Sequence, residues 1–405
     1  MYYIEGRANV THPRDRAGTL ARRSGSRVRQ EPIFLDFQAT TPLDPVVLEA
    51  MLPWMSGAWN AHAIEHGMGR TASAAVETAR EQVAALLGCR SSEITFTSGA
   101  TEASNIVLRG ATSAGDAVVT TELEHASVSE TADDLEANGR FIHRVTASED
   151  GIVDVAALAE ALDSQPALAS ITAVNSEIGT VQPIDDVAAM CADRDVPLHS
   201  DLTQAVGRIP VKLSDWFVSY ASISSHKIYG PQGIGALFVA DAAAAPRPLA
   251  TGGGQENGLR PGTLPVASCI GFGAACDLAR TRREQDDAHA QTLARMMLNG
   301  LSELEGWQLN GSLETRIPHN LSVAFEGVDA EMLLASLPEL ALATGSACSA
   351  GSLRGSATLR AISVPEPLAN GTIRIGFGRT TTPEEVRTAA SLLCDRVHLL
   401  RGDAP

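Results

Sequence analysis

The sequence predicts an α/β fold, with a large domain built on a mostly parallel sheet flanked by helices and a smaller α+β domain. Two observations lead to this prediction. Between residues 73 and 224, short apolar segments of strand length alternate with segments of helical periodicity, and Gly- and Pro-rich loops separate them. Such alternation is typical of parallel strands covered by helices on both faces. Beyond residue 267 the order changes, which indicates a second unit.

The elements of the first half follow each other in regular order. The segment 73–87 has apolar residues at helical spacing and ends at Gly88, a residue type that often terminates helices. The segment 93–97 is short and rich in β-branched residues, which favours a strand. The other predicted helices are 100–109, 127–138, 156–162 and 184–194, and the other predicted strands are 117–121, 169–174, 197–200 and 220–224.

The second half contains a helix-rich stretch and a second set of strands. In chain order we predict helical sequence over 267–304, a strand over 320–325, a helix over 330–336, a strand near 372–377 and a final helix over 383–400. We therefore expect a large domain over 46–283, a small domain formed by 32–45 and 284–405, and a disordered N-terminal tail over 1–31.

The N-terminal tail differs in charge from the remainder of the chain. Residues 1–32 carry seven Arg against three acidic residues and lack an apolar stretch, so no secretory signal is expected. An Arg/Ser-rich targeting segment, a mis-assigned start and a cloning remnant are alternatives to simple disorder.

Composition and charge exclude several functional classes. The chain has 405 residues and a formal net charge of −17, which argues against binding to nucleic acid or to an acidic membrane surface. No apolar run reaches the length of a membrane span. The six cysteines show neither a CxxC pair nor zinc-ligand spacing, so we expect no metal site and reduced thiols in the cytoplasm. Cys269 and Cys276 lie in an apolar segment and are predicted to be core residues.

The most informative segment is Ser224-Ser225-His226-Lys227, which follows a predicted strand and precedes the Gly-rich run 229–235. A lysine amine reacts with an aldehyde only when it is unprotonated, which requires partial desolvation or a neighbouring cation. His226 and the loop suit that requirement. A lone lysine in such a segment is usually a surface residue before a loop.

Two further strand ends carry groups suited to a phosphorylated ring. The segment 97–102 joins a strand to a helix, and its small residues expose backbone N–H groups where a phosphate is favoured. Asp201 follows the strand 197–200, at the edge where parallel sheets bind ligands. A carboxylate there can keep a pyridine nitrogen protonated, although a helix N-cap is the alternative role.

Polar residues also end the strands near 121 and 174. His125 can stack on a flat ring or transfer protons, and Asn175 and Ser176 can reach a ring oxygen. A lone histidine of this kind is more often structural. Together, however, the phosphate turn, the carboxylate, the histidine and Lys227 describe a pyridoxal phosphate site.

Seven motifs in one order resemble those of the cysteine desulfurases, which belong to the class V group of fold-type I pyridoxal phosphate enzymes. The resemblance extends from about residue 32 to about residue 400. It implies the fold-type I architecture, with seven strands in the mostly parallel sheet of the large domain. The motifs are 34–44 (FLDFQATTPLD), 98–102 (SGATE), 122–125 (ELEH), 174–179 (VNSEIG), 225–231 (SHKIYGP), 252–263 (GGGQENGLRPGT) and 344–349 (TGSACS).

The resemblance implies roles for individual residues toward pyridoxal 5'-phosphate. Lys227 would hold the cofactor as a Schiff base, His125 would stack on its ring and transfer protons, and Asp201 would pair with the pyridinium nitrogen. Gln204 would contact the ring oxygen, a contact that Asn175 or Ser176 could also make. The phosphate would be held by Ala100, Thr101, Ser224, His226 and, from the second subunit of a homodimer, Thr263.

The resemblance also implies the reaction. Arg374 would bind the carboxylate of L-cysteine, since a guanidinium pairs with a carboxylate bidentately, and Asn60 would assist. Cys348 lies in a Gly- and Ser-rich segment, typical of a reactive thiol rather than a core residue. It would attack the substrate sulfur and carry it as a persulfide while alanine is released.

The sequence therefore predicts a homodimeric cysteine desulfurase that converts L-cysteine to L-alanine and passes sulfur to an acceptor protein, for iron–sulfur cluster assembly or thio-modification. A selenocysteine lyase or another class V lyase or aminotransferase is an alternative that does not need Cys348. A sulfur-relay partner with degenerate catalysis is a second alternative, prompted by Ser176. Neither nucleic acid nor membrane is expected as a partner.

Overall fold

The computed structural model describes residues 31–345 and 355–402, and in this part of the chain the strands form three sheets. The strands are β1 (Ile33–Phe34), β2 (Ile94–Thr97), β3 (Ala117–Thr121), β4 (Phe141–Val145), β5 (Leu168–Ser170), β6 (Leu198–Asp201), β7 (Tyr220–Ser224), β8 (Gly235–Val239), β9 (Trp307–Leu309), β10 (Asn320–Phe325), β11 (Leu340–Ala341), β12 (Ala343–Thr344) and β13 (Thr372–Gly376). The helices are α1 (Pro45–Met51), α2 (Gly67–Leu87), α3 (Ala100–Gly110), α4 (Ala126–Ala137), α5 (Val155–Asp163), α6 (Ile184–Ala192), α7 (Val266–Leu301), α8 (Ala330–Ala335), α9 (Ala357–Ala361), α10 (Glu366–Ala369) and α11 (Pro383–Arg401).

The largest sheet has seven strands in the order β2-β8-β7-β6-β5-β3-β4. Strand β8 runs antiparallel to β2 and β7, and the other pairings are parallel. The prediction of a mostly parallel seven-stranded sheet is thus confirmed. Because β3, β5, β6 and β7 run in one direction, their carboxyl ends lie at the same edge of the sheet.

Helices cover both faces of this sheet. Helix α2 presents Val76, Val83 and Leu87 to a core that also contains Phe272 of α7. The apolar residues of α2 recur at helical spacing, and the helix ends at Gly88, whose φ of 63° is favourable for glycine. On the other face, α3 and α4 pack with strand residues into a separate cluster.

A four-stranded antiparallel sheet, in the order β12-β13-β10-β9, carries a second apolar core. Helix α11 packs on it and begins with a capping box, in which Thr382 and Glu385 satisfy each other's backbone N–H groups. The C-terminal half of α7 joins this second core from Leu293 onward, whereas buried residues up to Ala279 belong to the first. The division of domains at residue 283 stays a prediction, and it falls inside α7.

Several predicted elements differ from those observed. The helix-rich stretch near 267–304 is one helix of 36 residues, and its Cys269 and Cys276 are fully buried, as predicted for core residues. Strand β8 follows the Gly-rich run and pairs with β2 on one side and with β7 on the other, although no strand was predicted for its residues. None of the helices in the described ranges combines the length and apolarity that a bilayer crossing requires.

Candidate functional site

A cavity of about 240 Å³ lies at the carboxyl edge of the large sheet. The strands β3, β6 and β7 each end beside it, which is the edge where sheets of this type bind ligands. Its lining residues are Ala39, Ala100, Thr101, His125, Ser127, Thr172, Val174, Ser176, Asp201, Thr203, Gln204, Ser224, His226 and Lys227. Nine of the residues that the sequence predicted for the cofactor site are therefore brought together in one cavity wall.

Lys227 ends a 3-10 turn, Ser225–Lys227, that follows the buried strand β7. Its Nζ donates to the backbone carbonyl oxygens of Gln38 at 2.5 Å and Ala39 at 2.9 Å. The segment carrying these carbonyls is tied to the same turn, because the Thr41 N–H donates to the His226 oxygen at 2.9 Å. The lysine amine is thereby held at the cavity wall rather than in bulk solvent.

His226 adjoins both the lysine and the start of α3. Its Nδ1 lies 3.0 Å from the Thr40 hydroxyl. Burial, and secondarily the charge of Lys227, lower the pKa of His226 to about 4. The imidazole is therefore neutral at pH 7 and can accept or donate a hydrogen bond toward a ligand.

The turn between β2 and α3 opens onto a second cavity of about 340 Å³ that shares residues with the first. The Ala100 N–H at the start of α3 lies 3.2 Å from the Ser224 hydroxyl. A side chain at Gly235 would meet the Gly99 Cα at 2.6 Å, so glycine lets the turn approach β8 closely. The positive end of the α3 dipole and the first N–H groups of the helix, which have no partner within the helix itself, make this turn suitable for a phosphate.

Asp201 and Gln204 face the cavity from the end of β6. The Asp201 Oδ1 accepts from the Thr203 N–H at 2.9 Å, and the residue is almost completely buried. The Gln204 side chain donates to the Gln38 carbonyl at 3.1 Å and accepts from Arg208 at 2.5 Å. Both ends of the Gln204 amide thus already have hydrogen-bond partners within the protein. A contact with a ring oxygen would be made in addition to these two bonds.

His125 caps the N-terminus of α4. Its Nδ1 accepts from the Ser127 N–H at 3.1 Å, which places the proton of the neutral ring on Nε2. Glu124, the preceding residue, is buried behind it and accepts from Thr121 at 2.7 Å and from the Thr172 N–H at 2.9 Å. Burial raises the pKa of Glu124 to about 8, and the negative charge of Asp201 adds to the effect.

Asn175 does not line either cavity in the described chain, whereas Ser176 lines the first. The Asn175 Oδ1 accepts from the backbone N–H groups of Glu177 at 2.8 Å and Ile178 at 2.9 Å, and its Nδ2 donates to the Leu123 carbonyl at 2.9 Å. These bonds hold the turn that presents Ser176. Of the two residues left open by the sequence, Ser176 is the one placed to meet a ligand.

Arg374 lies behind Ser176, on strand β13 of the second sheet. Its guanidinium donates to the Ser176 carbonyl at 3.1 Å and pairs with Asp36 at 2.7 Å. The Arg374 Nε is buried and has no partner among the described residues. A carboxylate ligand would find this donor unsatisfied, although Arg374 is not among the residues lining the cavity.

Three other predicted residues lie apart from the cavity or beyond the described ranges. Asn60 is exposed, and its Oδ1 accepts from the His62 N–H at 3.0 Å. Thr263 is exposed and lines neither cavity of its own chain. Cys348 falls between the two described ranges, so its predicted role stays a prediction.

Some residues of the cavity were not singled out from the sequence. The carbonyls of Gln38 and Ala39 belong to the motif 34–44, which was noted without a role for these two residues. Thr203 lies between two predicted residues, and its hydroxyl is buried without a partner in the described chain. A carbonyl acceptor has no side-chain signature, whereas the position of Thr203 beside Asp201 could have suggested it.

Comparison with known proteins gives the family. Residues 33–388 match the model of the family Aminotransferase class-V. The chain is 42% identical to "Cysteine desulfurase, mitochondrial" of Arabidopsis thaliana over 391 residues, covering 94% of this chain and 86% of the relative. It is 40% identical to "Cysteine desulfurase IscS" of Rickettsia typhi, covering 92% of this chain and 93% of the relative.

Solved structures agree with this similarity. A "NIFS-LIKE PROTEIN" superposes with a TM-score of 0.83 at 33% identity, covering 91% of this chain and 99% of that one. The structure "SspA in complex with cysteine" has a TM-score of 0.76 at 32% identity, covering 86% and 99%. The chain therefore belongs to the class-V aminotransferases and, among them, to the cysteine desulfurases.

Proposed function

We propose that this cysteine desulfurase binds pyridoxal 5'-phosphate in the two joined cavities, removes sulfur from L-cysteine, receives that sulfur on Cys348 and releases L-alanine. The observation that carries the proposal is the convergence of Lys227, His125, Asp201 and the α3 turn on one cavity wall. The similar protein SspA has been solved in complex with cysteine, which supports the choice of substrate.

The residues present fit the cofactor. The neutral His226 and the N–H groups at the start of α3 suit a phosphate. The Thr203 hydroxyl, which is buried without a partner among the described residues, suits a polar ring substituent. Lys227 would hold the aldehyde carbon, Asp201 would pair with the ring nitrogen and His125 would stack on the ring. Ser176 and Gln204 would contact the ring oxygen, and Asn175 would act by fixing the turn. The phosphate would contact Ala100, Thr101 and Ser224.

Each protein group then has a defined task. When bound, the cofactor supplies a ring that accepts the electron pair left by a proton removed from the substrate. Arg374 binds the substrate carboxylate and so fixes the amino acid's orientation, with Asn60 as a further contact. Lys227 Nζ takes a proton from the substrate Cα, and His125 moves protons at its Nε2.

The sulfur step involves Cys348 as nucleophile. The thiolate forms a bond to the substrate sulfur while the bond from that sulfur to the substrate Cβ breaks, and Cβ is then protonated. The enzyme thiol becomes a persulfide and L-cysteine becomes L-alanine. One sulfur atom moves between the two, so the balance needs no external oxidant or reductant.

The decisive experiment compares Cys348→Ser with Cys394→Ser, which alters a half-buried thiol on α11. Both variants should bind the cofactor, as shown by a visible absorption band that borohydride fixes on Lys227. After addition of L-cysteine, the wild type and Cys394→Ser should yield alanine and an enzyme persulfide, and Cys348→Ser should yield neither. Alanine formation at the wild-type rate in Cys348→Ser would instead favour a lyase that dispenses with the thiol.

The homodimer, the acceptor and the compartment belong to the same proposal. Exposed apolar side chains cluster over the segment 43–68, and burial by a second copy would remove them from water: Leu43, Val46, Leu48, Leu52, Met55, Ile64 and Met68. Sedimentation should give about twice the chain mass of 42.4 kDa. Thr263 would then reach the phosphate of the other subunit.

An acceptor protein for iron–sulfur assembly or thio-modification stays a prediction. A cytoplasmic location also stays a prediction, since one relative is described as mitochondrial.

A further inference from the structure

Arg260 forms an ion pair with Glu102 beside the phosphate turn, residues 97–102. None of the residue roles proposed above explains this ion pair. The Arg260 Nε lies 3.0 Å from the Glu102 Oε1, and about a quarter of each side chain is exposed, 24% and 25%. The other carboxylate oxygen of Glu102 accepts from the Ser98 N–H. One carboxylate thus joins the phosphate turn to the loop that carries Arg260.

The charge of Glu102 opposes a phosphate. Burial by itself would raise the pKa of Glu102, but the hydrogen bonds from Ser98 and Arg260 outweigh burial and lower it, so the carboxylate is ionised. Among the described residues lining the 340 Å³ cavity, Glu102 is the one acidic side chain. A phosphate bound there would meet a like charge a short distance away, at a site only partly screened by water.

The described wall of this cavity holds no cation of its own to offset that charge. His226 is the one ionisable base among the described lining residues, and its low pKa keeps it neutral at pH 7. The positive charge that contacts Glu102 therefore comes from outside the wall, from Arg260.

The loop that carries Arg260 is fixed in place by a second, more deeply buried ion pair. Glu256 binds Arg80 through both oxygens, at 2.7 and 2.8 Å, and also accepts from the Phe96 N–H at 2.6 Å. Phe96 belongs to β2, the strand that leads into the phosphate turn. Arg260 is thus presented from a loop anchored on that strand, which makes its position relative to Glu102 well defined.

We propose that Arg260 is a positioning residue of the phosphate subsite, which neutralises Glu102 so that the N–H groups at the start of α3 face the phosphate without an opposing charge. The proposal rests on the proposed function, because it takes this cavity to receive the cofactor's phosphate. It adds a role for Arg260 and Glu102, neither of which contacts the phosphate in that scheme.

The test measures binding of inorganic phosphate to the full-length apoenzyme by calorimetry, in Arg260→Met, Glu102→Gln and the double variant. At low salt Arg260→Met should bind phosphate about fivefold more weakly, a size typical of a partly exposed charge pair. Glu102→Gln should bind at least as tightly as the wild type. The phosphate affinity of the double variant should return to within about twofold of the wild-type value, because the negative charge of Glu102 is removed together with the positive charge of Arg260. The differences should shrink as added salt screens the charges.

Two further variants separate charge from structure. Arg260→Lys keeps the charge and should restore phosphate affinity. Arg90→Met removes an arginine from the exposed pair with Glu93, the same change in net charge away from the cavity, and should leave phosphate affinity unchanged.

Unchanged phosphate binding in Arg260→Met would overturn the proposal. So would a double variant as weak as Arg260→Met, since that result would assign Arg260 only to holding the loop. If the wild-type apoenzyme did not bind phosphate at all, the subsite itself would be wrong, and the role of Arg260 with it.

Discussion

Glu124, next to the site, keeps its carboxyl proton at pH values at which an exposed glutamate is ionised. Its carboxyl is buried behind His125, and one oxygen has no partner in the described chain. Because burial raises its pKa to about 8, the folded protein holds a proton that the unfolded chain releases near pH 4.5. The free energy of unfolding should therefore fall as pH rises from about 4.5 to about 8.

Replacing Glu124 by Gln should remove this dependence. Gln keeps an acceptor for Thr121 and Thr172 but cannot lose a proton. Between pH 5 and pH 9 we expect the stability of Glu124→Gln relative to wild type to increase by on the order of 1 to 4 kcal/mol. Urea unfolding at several pH values measures this difference. Glu77→Gln, at a largely exposed side chain, is the control, and parallel curves for wild type and Glu124→Gln would contradict the prediction.

Residue chemistry at the strand ends was the part of the site that the sequence predicted well. Lys227, His125, Asp201 and Ser224 have side-chain types that suit a phosphorylated ring, and the fold places them on one cavity wall. What could not be predicted were contacts that depend on three-dimensional proximity. The Gln38 carbonyl, which Lys227 contacts, is 189 residues away in the chain and has no side-chain signature.

At the scale of elements, the close packing of α2 and α7 depends on glycine. A Cβ at Gly273 of α7 would lie 2.6 Å from the Ala79 Cα and 2.8 Å from the Ala79 Cβ of α2. Alanine has a higher helix propensity than glycine by about 1 kcal/mol, but these contacts would force two helices apart. Overpacking of this kind outweighs the gain in propensity.

We therefore expect Gly273→Ala to lower the free energy of unfolding by about 1–3 kcal/mol. Gly67 is a matched control, because it also lies in a helix and a Cβ there would have nothing within 4 Å. Gly67→Ala should leave stability unchanged or slightly raised. Denaturant unfolding of both variants tests the comparison, and equal midpoints would show that α2 and α7 can separate without cost.

The sequence predicted helices and strands correctly where the local residue pattern determines the element. It missed those whose formation depends on contacts with distant parts of the chain. The strands 117–121, 220–224 and 320–325 have the predicted bounds, because buried apolar runs end there at polar or turn residues. Strand β8 was missed since its run follows a Gly-rich loop and gains its hydrogen bonds only between β2 and β7. Likewise, no periodicity in the sequence shows that α7 links two separate cores.

At the scale of the whole molecule, two buried histidines and one half-buried histidine of the described chain have lowered pKa values and affect the response to acid. Burial lowers the pKa of His199 and His226 to about 4 and of His319 to about 3. Between these values and about 6.5 the unfolded chain binds protons that the folded protein does not. Stability is therefore present above pH 6.5 and is lost as pH falls toward 4, by about 1.4 kcal/mol per pH unit for each of the fully buried His199 and His319. The contribution of the half-buried His226 has the same sign and is smaller, because water screens its charge.

Glu124 acts in the opposite direction, so the two effects together predict a maximum of stability. Between pH 4.5 and 6.5 the unfolded chain holds about two more protons on His199 and His319 and one fewer on Glu124, which gives a rise of about 1.4 kcal/mol per pH unit. His226 adds to this rise, and Glu177, whose pKa burial also raises, opposes it at the acid end of the range. From pH 6.5 to 8 only Glu124 contributes, and stability should fall by about 1.4 kcal/mol per unit. The free energy of unfolding of the apoenzyme, measured by urea titration from pH 5 to 8, should peak near pH 6.5.

His199→Gln, which keeps a donor toward Ser222, should lower the acid slope by about 1.4 kcal/mol per pH unit and leave the alkaline side unchanged. A stability that keeps rising through pH 8, or an acid slope insensitive to His199, would show that these buried groups do not govern the pH response.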